Sequence, residues 1–235
     1  MSQYDRYAKE YMNLRRMMFS ENKNSEFYAV LNQLGNIKNK KILDLGSGFG
    51  DYVKSYSARG AIVTGIDNSE KFITYAKKRK IKNAQFIKHD ISTTFPFPKY
   101  NFDIITSTLV FDHIKDINFL FKECRRVLKK EGIMIFAITN PLLYQEKSIV
   151  GYFKFLGKSF IFGDYFKRRK IIRRWGGTAR MTHFHKTLED YFDAFLNNGF
   201  KLLKFREPYT KSKKSSWHNK NPTFLVFKLI KEKLK

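Results

Sequence analysis

The segment Ile42-Leu43-Asp44-Leu45-Gly46-Ser47-Gly48-Phe49-Gly50 holds the residue types and spacing that point most directly to chemistry. Glycines at alternate positions behind a short apolar run let the chain turn tightly with no side chain facing a ligand. A helix beginning there aims its free backbone N–H groups into the same space. Nineteen residues beyond Gly48 stands Asp67, in Gly65-Ile66-Asp67-Asn68. An acid at the end of the next predicted strand is placed to accept both hydroxyls of an adenosine ribose.

Asp44 narrows the choice of nucleoside cofactor. Dinucleotide sites read G-x-G-x-x-G and rest a pyrophosphate on the helix end. Here the pattern is D-x-G-x-G-x-G. The leading carboxylate would repel a pyrophosphate but would favour the ammonium of a methionine moiety, directly or through water. Charge therefore favours S-adenosylmethionine over NAD.

The elements that must position these residues follow from periodicity. Tyr4, Tyr7, Ala8, Tyr11 and Leu14 recur at helical spacing, and Ser25 can cap a second helix that Gly35 stops. Strands are predicted at 41–45, 61–66, 84–88, 102–108 and 132–139, separated by helices at 51–59, 69–80 and 117–130. Such alternation implies parallel strands with right-handed crossovers. Residues 140–185 break the pattern and read as an aromatic, basic insertion. Thr187, with Asp190 three residues on, opens a last helix that Gly199 closes, and strands follow at 201–206 and 223–229. The predicted fold is α/β: a Rossmann-like, doubly wound, mostly parallel seven-stranded sheet with an antiparallel last strand, N-terminal helices and an inserted lid. The expected organisation is one domain, with a helical cap (1–36), a cofactor-binding core (38–140), a lid (141–186) and a C-terminal helix with two strands (187–235).

Residues 38–140 resemble the class I S-adenosylmethionine-dependent methyltransferases through several motifs in order. Asp44-Leu45-Gly46-Ser47-Gly48-Phe49-Gly50 is similar to the family's cofactor loop, with Asp67 as the ribose acid and Asn68 beside it. Lys88-His89-Asp90-Ile91 matches the place where an Asp approaches the adenine amino group and the next residue packs on the ring. Phe102–Ser107 resembles the fourth strand, so the resemblance places Ser107 at the methionine and substrate end. Arg126–Gly132 resembles the helix-to-strand segment, with Glu131-Gly132 where Pro-Gly commonly stands. Trp175-Gly176-Gly177, Phe184-His185-Lys186-Thr187-Leu188 and Asn198-Gly199-Phe200 resemble the small-molecule branch more loosely. Tyr4–Tyr11 is similar to the helix that closes over the cofactor, and the resemblance lets Tyr11 reach the methionine carboxylate.

The implied reaction is methyl transfer to an oxygen or nitrogen of a small organic acceptor, anionic or hydrophobic. Positioning supplies much of the catalysis in an in-line displacement. A hydroxyl acceptor also needs a base. His185 is the first candidate and His113, behind the fourth strand, the second, since a histidine can take a proton from a hydroxyl near neutral pH. No histidine pairs with cysteine at zinc spacing, so no metal site is expected.

The formal charge of +25 admits nucleic acid or an anionic lipid as partner, and more than half of it lies beyond residue 150. Richness in Lys, Asn, Ile, Phe and Tyr is also what an AT-rich genome imposes, so charge alone selects nothing. An RNA methyltransferase is the second reading and a lipid or quinone methyltransferase a third. The Asn-Pro-Pro-Tyr type of signature is absent after the fourth strand, where Ser107-Thr108-Leu109-Val110 stands, and Asn140-Pro141 is followed by Leu142-Leu143. No apolar run suits a membrane span or a secretory signal, and Cys124 alone forms no internal disulfide, so a cytoplasmic location is expected.

Overall fold

The computed structural model describes residues 2–20, 25–144, 149–153, 158–162, 164–175, 179–209 and 222–232. Three helices come first: α1 (Gln3–Arg6), α2 (Ala8–Ser20) and α3 (Ser25–Gln33). The alternating part follows as β1 (Lys41–Leu45), α4 (Asp51–Ala58), β2 (Ile62–Asp67), α5 (Glu70–Lys78), β3 (Ala84–Lys88), β4 (Phe102–Thr108), α6 (Ile117–Val127) and β5 (Leu128–Thr139). Next come β6 (Ile149–Phe153), β7 (Lys158–Phe162), β8 (Lys170–Trp175) and β9 (Ala179–Phe184). The chain then forms α7 (Leu188–Asn197), β10 (Phe200–Arg206) and β11 (Phe224–Lys231).

Seven strands form one sheet in the order β10-β11-β5-β4-β1-β2-β3. β1 to β5 pair in parallel, whereas β11 runs antiparallel to both β5 and β10. The doubly wound sheet with an antiparallel last strand is therefore observed. The strand order turns back at β1, which lies between β2 and β4, and open α/β sheets hold ligands in the crevice beyond such a switch point. The glycine loop leaves β1 there.

Both faces of the sheet are covered, so its strands are apolar on both sides. Leu43, Ile105, Phe136 and Phe227 point to the layer of α6 and α7. Their neighbours Ile42, Ile104, Ile135 and Val226 point to the layer of α3 and α4. Each such side chain, fully buried, contributes about 1.5–3 kcal/mol relative to exposure. Cys124 is fully buried among the first group, and burial pushes its thiol well above the usual range.

Three local departures from the expected elements have physical causes. The N-terminal helix breaks at Tyr7, where the backbone leaves the helical region at φ -117, and α1 is started separately by a capping box from Ser2 and Asp5. Asp5 is further held by Ser69 Oγ at 2.7 Å and the Lys71 amide at 3.1 Å. α6 stops at Val127 rather than Lys130, since Leu128 is already extended and pairs with Phe102. The buried Lys231 ammonium caps its end, donating to the carbonyls of Arg125 at 2.7 Å and Leu128 at 2.6 Å. The insertion is not shapeless: it forms two antiparallel ladders, β6 with β7 and β8 with β9. The capping box of Thr187 and Asp190 at α7 is complete in both directions. No described helix is long and apolar enough to cross a membrane.

Candidate functional site

A cleft with a cavity volume of ≈ 320 Å³ opens at the carboxyl edge of the sheet. Gly46 and Gly48 form its floor, Asp67 and Asn68 stand at the end of β2, and Asp90 and Ile91 follow β3. A smaller adjoining pocket shares Tyr11, Gly46, Gly48, Thr108 and Leu109, and adds Asp44, Ser47, Phe49 and Arg15. The wide part thus presents ribose- and adenine-type contacts, and the narrow arm presents charged groups suited to a methionine end.

The glycine loop is shaped by two close approaches. Gly46 has φ +67, and a Cβ there would meet Val110 Cγ2 at 2.3 Å. Val110 is brought over the loop by Leu109, itself left-handed at φ 59 just past β4, a strained state that persists only where its surroundings enforce it. At Gly48 a Cβ would meet nothing within 4 Å, so the space before it stays free for a ligand. Gly50 lines neither pocket and serves instead as the left-handed N-cap of α4.

Two buried carboxylates face this space. Asp67 accepts from the Gly48 amide at 2.9 Å and from the Ser69 amide at 2.8 Å, one bond to each oxygen, which leaves a lone pair on each for ribose hydroxyls. Burial raises its carboxyl to about 6 against the pull of those amides. Asp44 accepts from Thr106 Oγ1 at 2.7 Å. Burial, helped by the charge of Asp67, raises Asp44 to about 7 against the pull of Thr106. A cationic neighbour would restore its charged form. Ser47 Oγ is buried in the arm with no hydrogen-bond partner. This donor set, two acids and a spare hydroxyl around an open glycine turn, fits a nucleoside carrying a cationic methionine tail.

The remaining predicted residues divide. Asp90 is exposed and holds Ser92 through its amide at 2.9 Å and its hydroxyl at 2.6 Å, while lining the adenine side. Asn68 accepts from Ser2 Oγ at 2.8 Å. Tyr11 lines both pockets, stacked edge-on against Tyr4 and Phe49. Ser107 does not reach the cleft: it is fully buried and donates to the Leu45 carbonyl at 3.1 Å. Strand alternation gives the position to Thr108, one residue on. Asn140 is buried as a clasp, donating to the Pro222 carbonyl at 2.9 Å.

The two histidines separate as well. His185 does not line the cleft; its Nε2 lies 2.6 Å from the Tyr165 carbonyl, under the 164–169 segment. His113 does line it, on a 3₁₀ turn (Phe111–His113) anchored by Asp112, which accepts from Tyr191 Oη at 3.0 Å and the Thr139 amide at 3.3 Å. Its Nδ1 lies 2.7 Å from the Thr182 carbonyl and its Nε2 2.8 Å from Tyr4 Oη. A carbonyl only accepts, so Nδ1 carries the proton and Nε2 is the acceptor. Burial lowers the pKa of His113, against the opposing effect of the Thr182 carbonyl. The ring is neutral and basic at Nε2.

Arg15 and Phe184 line the site although the sequence assigned neither a role. Arg15 lines the arm, buried and ion-paired with Glu26 at 3.0 Å. The one sequence signal for it is its place a helical turn after Tyr11. Phe184 lines the cleft from the end of β9, and the sequence segment that contains it gave it no role.

The fold and this cleft define an α/β protein that binds a nucleoside cofactor at the switch point of a parallel sheet. Residues 43–136 match the family model of the methyltransferase domain. Over this segment the chain is a methyltransferase domain, and its fold is that of S-adenosylmethionine-dependent methyltransferases. It is 37% identical over 126 residues to the ubiquinone biosynthesis O-methyltransferase of Pelagibacter ubique, a match spanning 53% of this chain and 50% of that protein. Identity is 29% over 225 residues with an uncharacterised protein of Haemophilus influenzae, covering 92% of this chain and 88% of that one. The fold superposes on the S-adenosylmethionine-dependent methyltransferase of Mesorhizobium loti with a TM-score of 0.74 at 22% identity, over 88% of this chain and 98% of that one.

Proposed function

We propose that the protein methylates a hydroxyl oxygen of a small, largely apolar acceptor. One observation carries this reading. A neutral histidine with its acceptor nitrogen held by a phenol stands in the same cleft as the cofactor residues, among Val110, Ile114 and Phe184, with Lys115 nearby. A hydroxyl acceptor needs such a base, whereas a free amine does not. His113 takes that part in preference to His185, which lies outside the cleft. The partial likeness to a ubiquinone biosynthesis O-methyltransferase supports a ring hydroxyl, as in a quinol precursor.

When bound, S-adenosylmethionine supplies an electrophilic methyl group. Asp67 and Asn68 would hold its ribose, Ile91 its adenine ring and Asp90 the amino group, while Asp44, Arg15 and Tyr11 would hold the methionine end. Strand β9 closes the acceptor side, bringing Phe184 and the Thr182 carbonyl to His113. Calorimetric titration with S-adenosylmethionine and its demethylated product, with NAD as control, tests the cofactor site. A radiolabelled methyl assay with catechol and aniline as paired acceptors then tests the hydroxyl. Transfer to aniline alone refutes the hydroxyl reading.

A further inference from the structure

The N-terminal helix α1 brings three consecutive side chains to the mouth of the cleft. Ser2, its cap, donates to Asn68 at the ribose side. Gln3 Oε1 accepts from the Thr182 amide at 2.8 Å, on the lid strand β9. Tyr4, between these anchors, lines the cleft and places its hydroxyl 2.8 Å from His113 Nε2. Its ring is wedged against Tyr11 at 5.2 Å, Phe72 at 5.7 Å and the His113 ring at 5.4 Å between centroids. The hydroxyl is therefore fixed on the only acceptor nitrogen of the imidazole, and phenol and histidine line the same cleft.

We propose that Tyr4 is a catalytic residue: its hydroxyl takes the proton from the acceptor hydroxyl while passing its own to His113. The proposal rests on the hydroxyl-acceptor reading above. In the step, the acceptor proton moves to Tyr4 Oη and the Tyr4 proton moves to His113 Nε2. The acceptor oxygen uses its freed electron pair to form the C–O bond, as the pair of the C–S bond returns to sulfur. The imidazolium so formed is stabilised by Nδ1–H donation to the Thr182 carbonyl, and it returns its proton to water after the product leaves. Tyr4 ends as it began, so the relay is catalytic. The titratable groups around the imidazole are Tyr4 from α1, His183 from β9 with its ring centroid at 4.3 Å, Lys186 beyond β9, and Asp112 of its own turn. Burial, with His113 and two nearby cations adding to it, lowers His183 to about 3, so it stays neutral and leaves His113 as the proton's destination.

The full chain carrying Tyr4→Phe keeps the aromatic wedge and loses only the hydroxyl. S-adenosylmethionine affinity within threefold of wild type shows that the cleft is intact. With catechol as acceptor, the relay predicts kcat lowered at least thirtyfold, KM within threefold, and rate recovering as pH rises and more acceptor ionises unaided. Because the Tyr4 hydroxyl sits on His113 Nε2, NMR titration of His113 must also show its pKa shifted in Tyr4→Phe relative to wild type. If wild type methylates catechol and the variant keeps kcat within threefold, the relay is overturned while the hydroxyl reading stands. If wild type methylates aniline but not catechol, or neither, the hydroxyl reading falls and takes the relay with it. An unchanged His113 titration overturns the Tyr4–His113 couple whatever the acceptor.

Discussion

Thr106 Oγ1 donates to Asp44 Oδ1 at 2.7 Å across the paired strands β1 and β4, where the two residues are directly in register. That bond anchors a buried carboxylate at the wall of the arm, and burial still lifts Asp44 to about 7.

Cofactor affinity should therefore rise with pH. Asp44 and Asp67 titrate near 7 and 6 in the free protein, and a cationic, hydroxyl-bearing ligand prefers both ionised. Calorimetry should show tighter S-adenosylmethionine binding at pH 8 than at pH 5.5, with protons released on binding between these values. The folding sign is opposite. Both folded values lie above the ordinary carboxylate value of 3.8, so the native state holds more protons than the unfolded one between about pH 4 and 7. Stability of the cofactor-free protein should fall as pH rises through 6 and 7. Affinity that stays flat across that range would show that neither acid titrates there.

Asp67→Ala removes the group placed for ribose hydroxyls and also frees the Gly48 and Ser69 amides. Hydrogen bonds to a charged group contribute about 1.5–3 kcal/mol each. The dissociation constant for S-adenosylmethionine should rise at least thirtyfold, with NAD unbound by either form. Retention of wild-type affinity would remove Asp67 from the site.

The histidines make a paired test. His113→Ala should lower turnover of a hydroxyl acceptor by about 10²–10⁴-fold, the usual contribution of a general base, and leave cofactor affinity within a few-fold. His185→Ala should lower the melting temperature by a few degrees through loss of its packing with Tyr165, with kcat near wild type. Reversal of the two kinetic outcomes would return the base to His185.

Gly46→Ala sets a Cβ 2.3 Å from Val110 at a left-handed position. The strain of φ +67 and the displaced Val110 should together cost about 2–4 kcal/mol of stability, seen by urea unfolding. Gly46→Ala combined with Val110→Ala should recover part of that loss. No recovery would place the cost in the backbone alone.

Much of the fold was legible because it is written locally. The apolar runs of β1 to β5, the amphipathic helices between them and the glycine turn behind β1 each depend on periods of two or 3.6 residues and on backbone freedom at single positions. Asp44, Gly46, Gly48, Asp67, Asp90 and Ile91 are lined up along one cleft for the same reason: each ends a strand or begins the loop after it, and parallel strands put all such ends on one edge. Boundaries were less legible where a distant residue decides them. α6 ends early because Lys231, 106 residues beyond Arg125, caps its carbonyls.

The sequence by itself determined the class of cofactor, since a glycine turn and two acids at set spacing carry their chemistry wherever the chain goes. Only the tertiary structure decided which side chains line the cleft. Thr108 takes the place expected of Ser107, because the phase of strand alternation at a bent strand end depends on Leu109 and its packing. His113 lines the cleft and His185 does not, because His185 lies on the Tyr165 carbonyl while β9 offers the Thr182 carbonyl to His113. Tyr4 reaches His113 across 109 residues of chain. No local period encodes such a contact; it exists because α1, β9 and the turn after β4 bury their surfaces against one another.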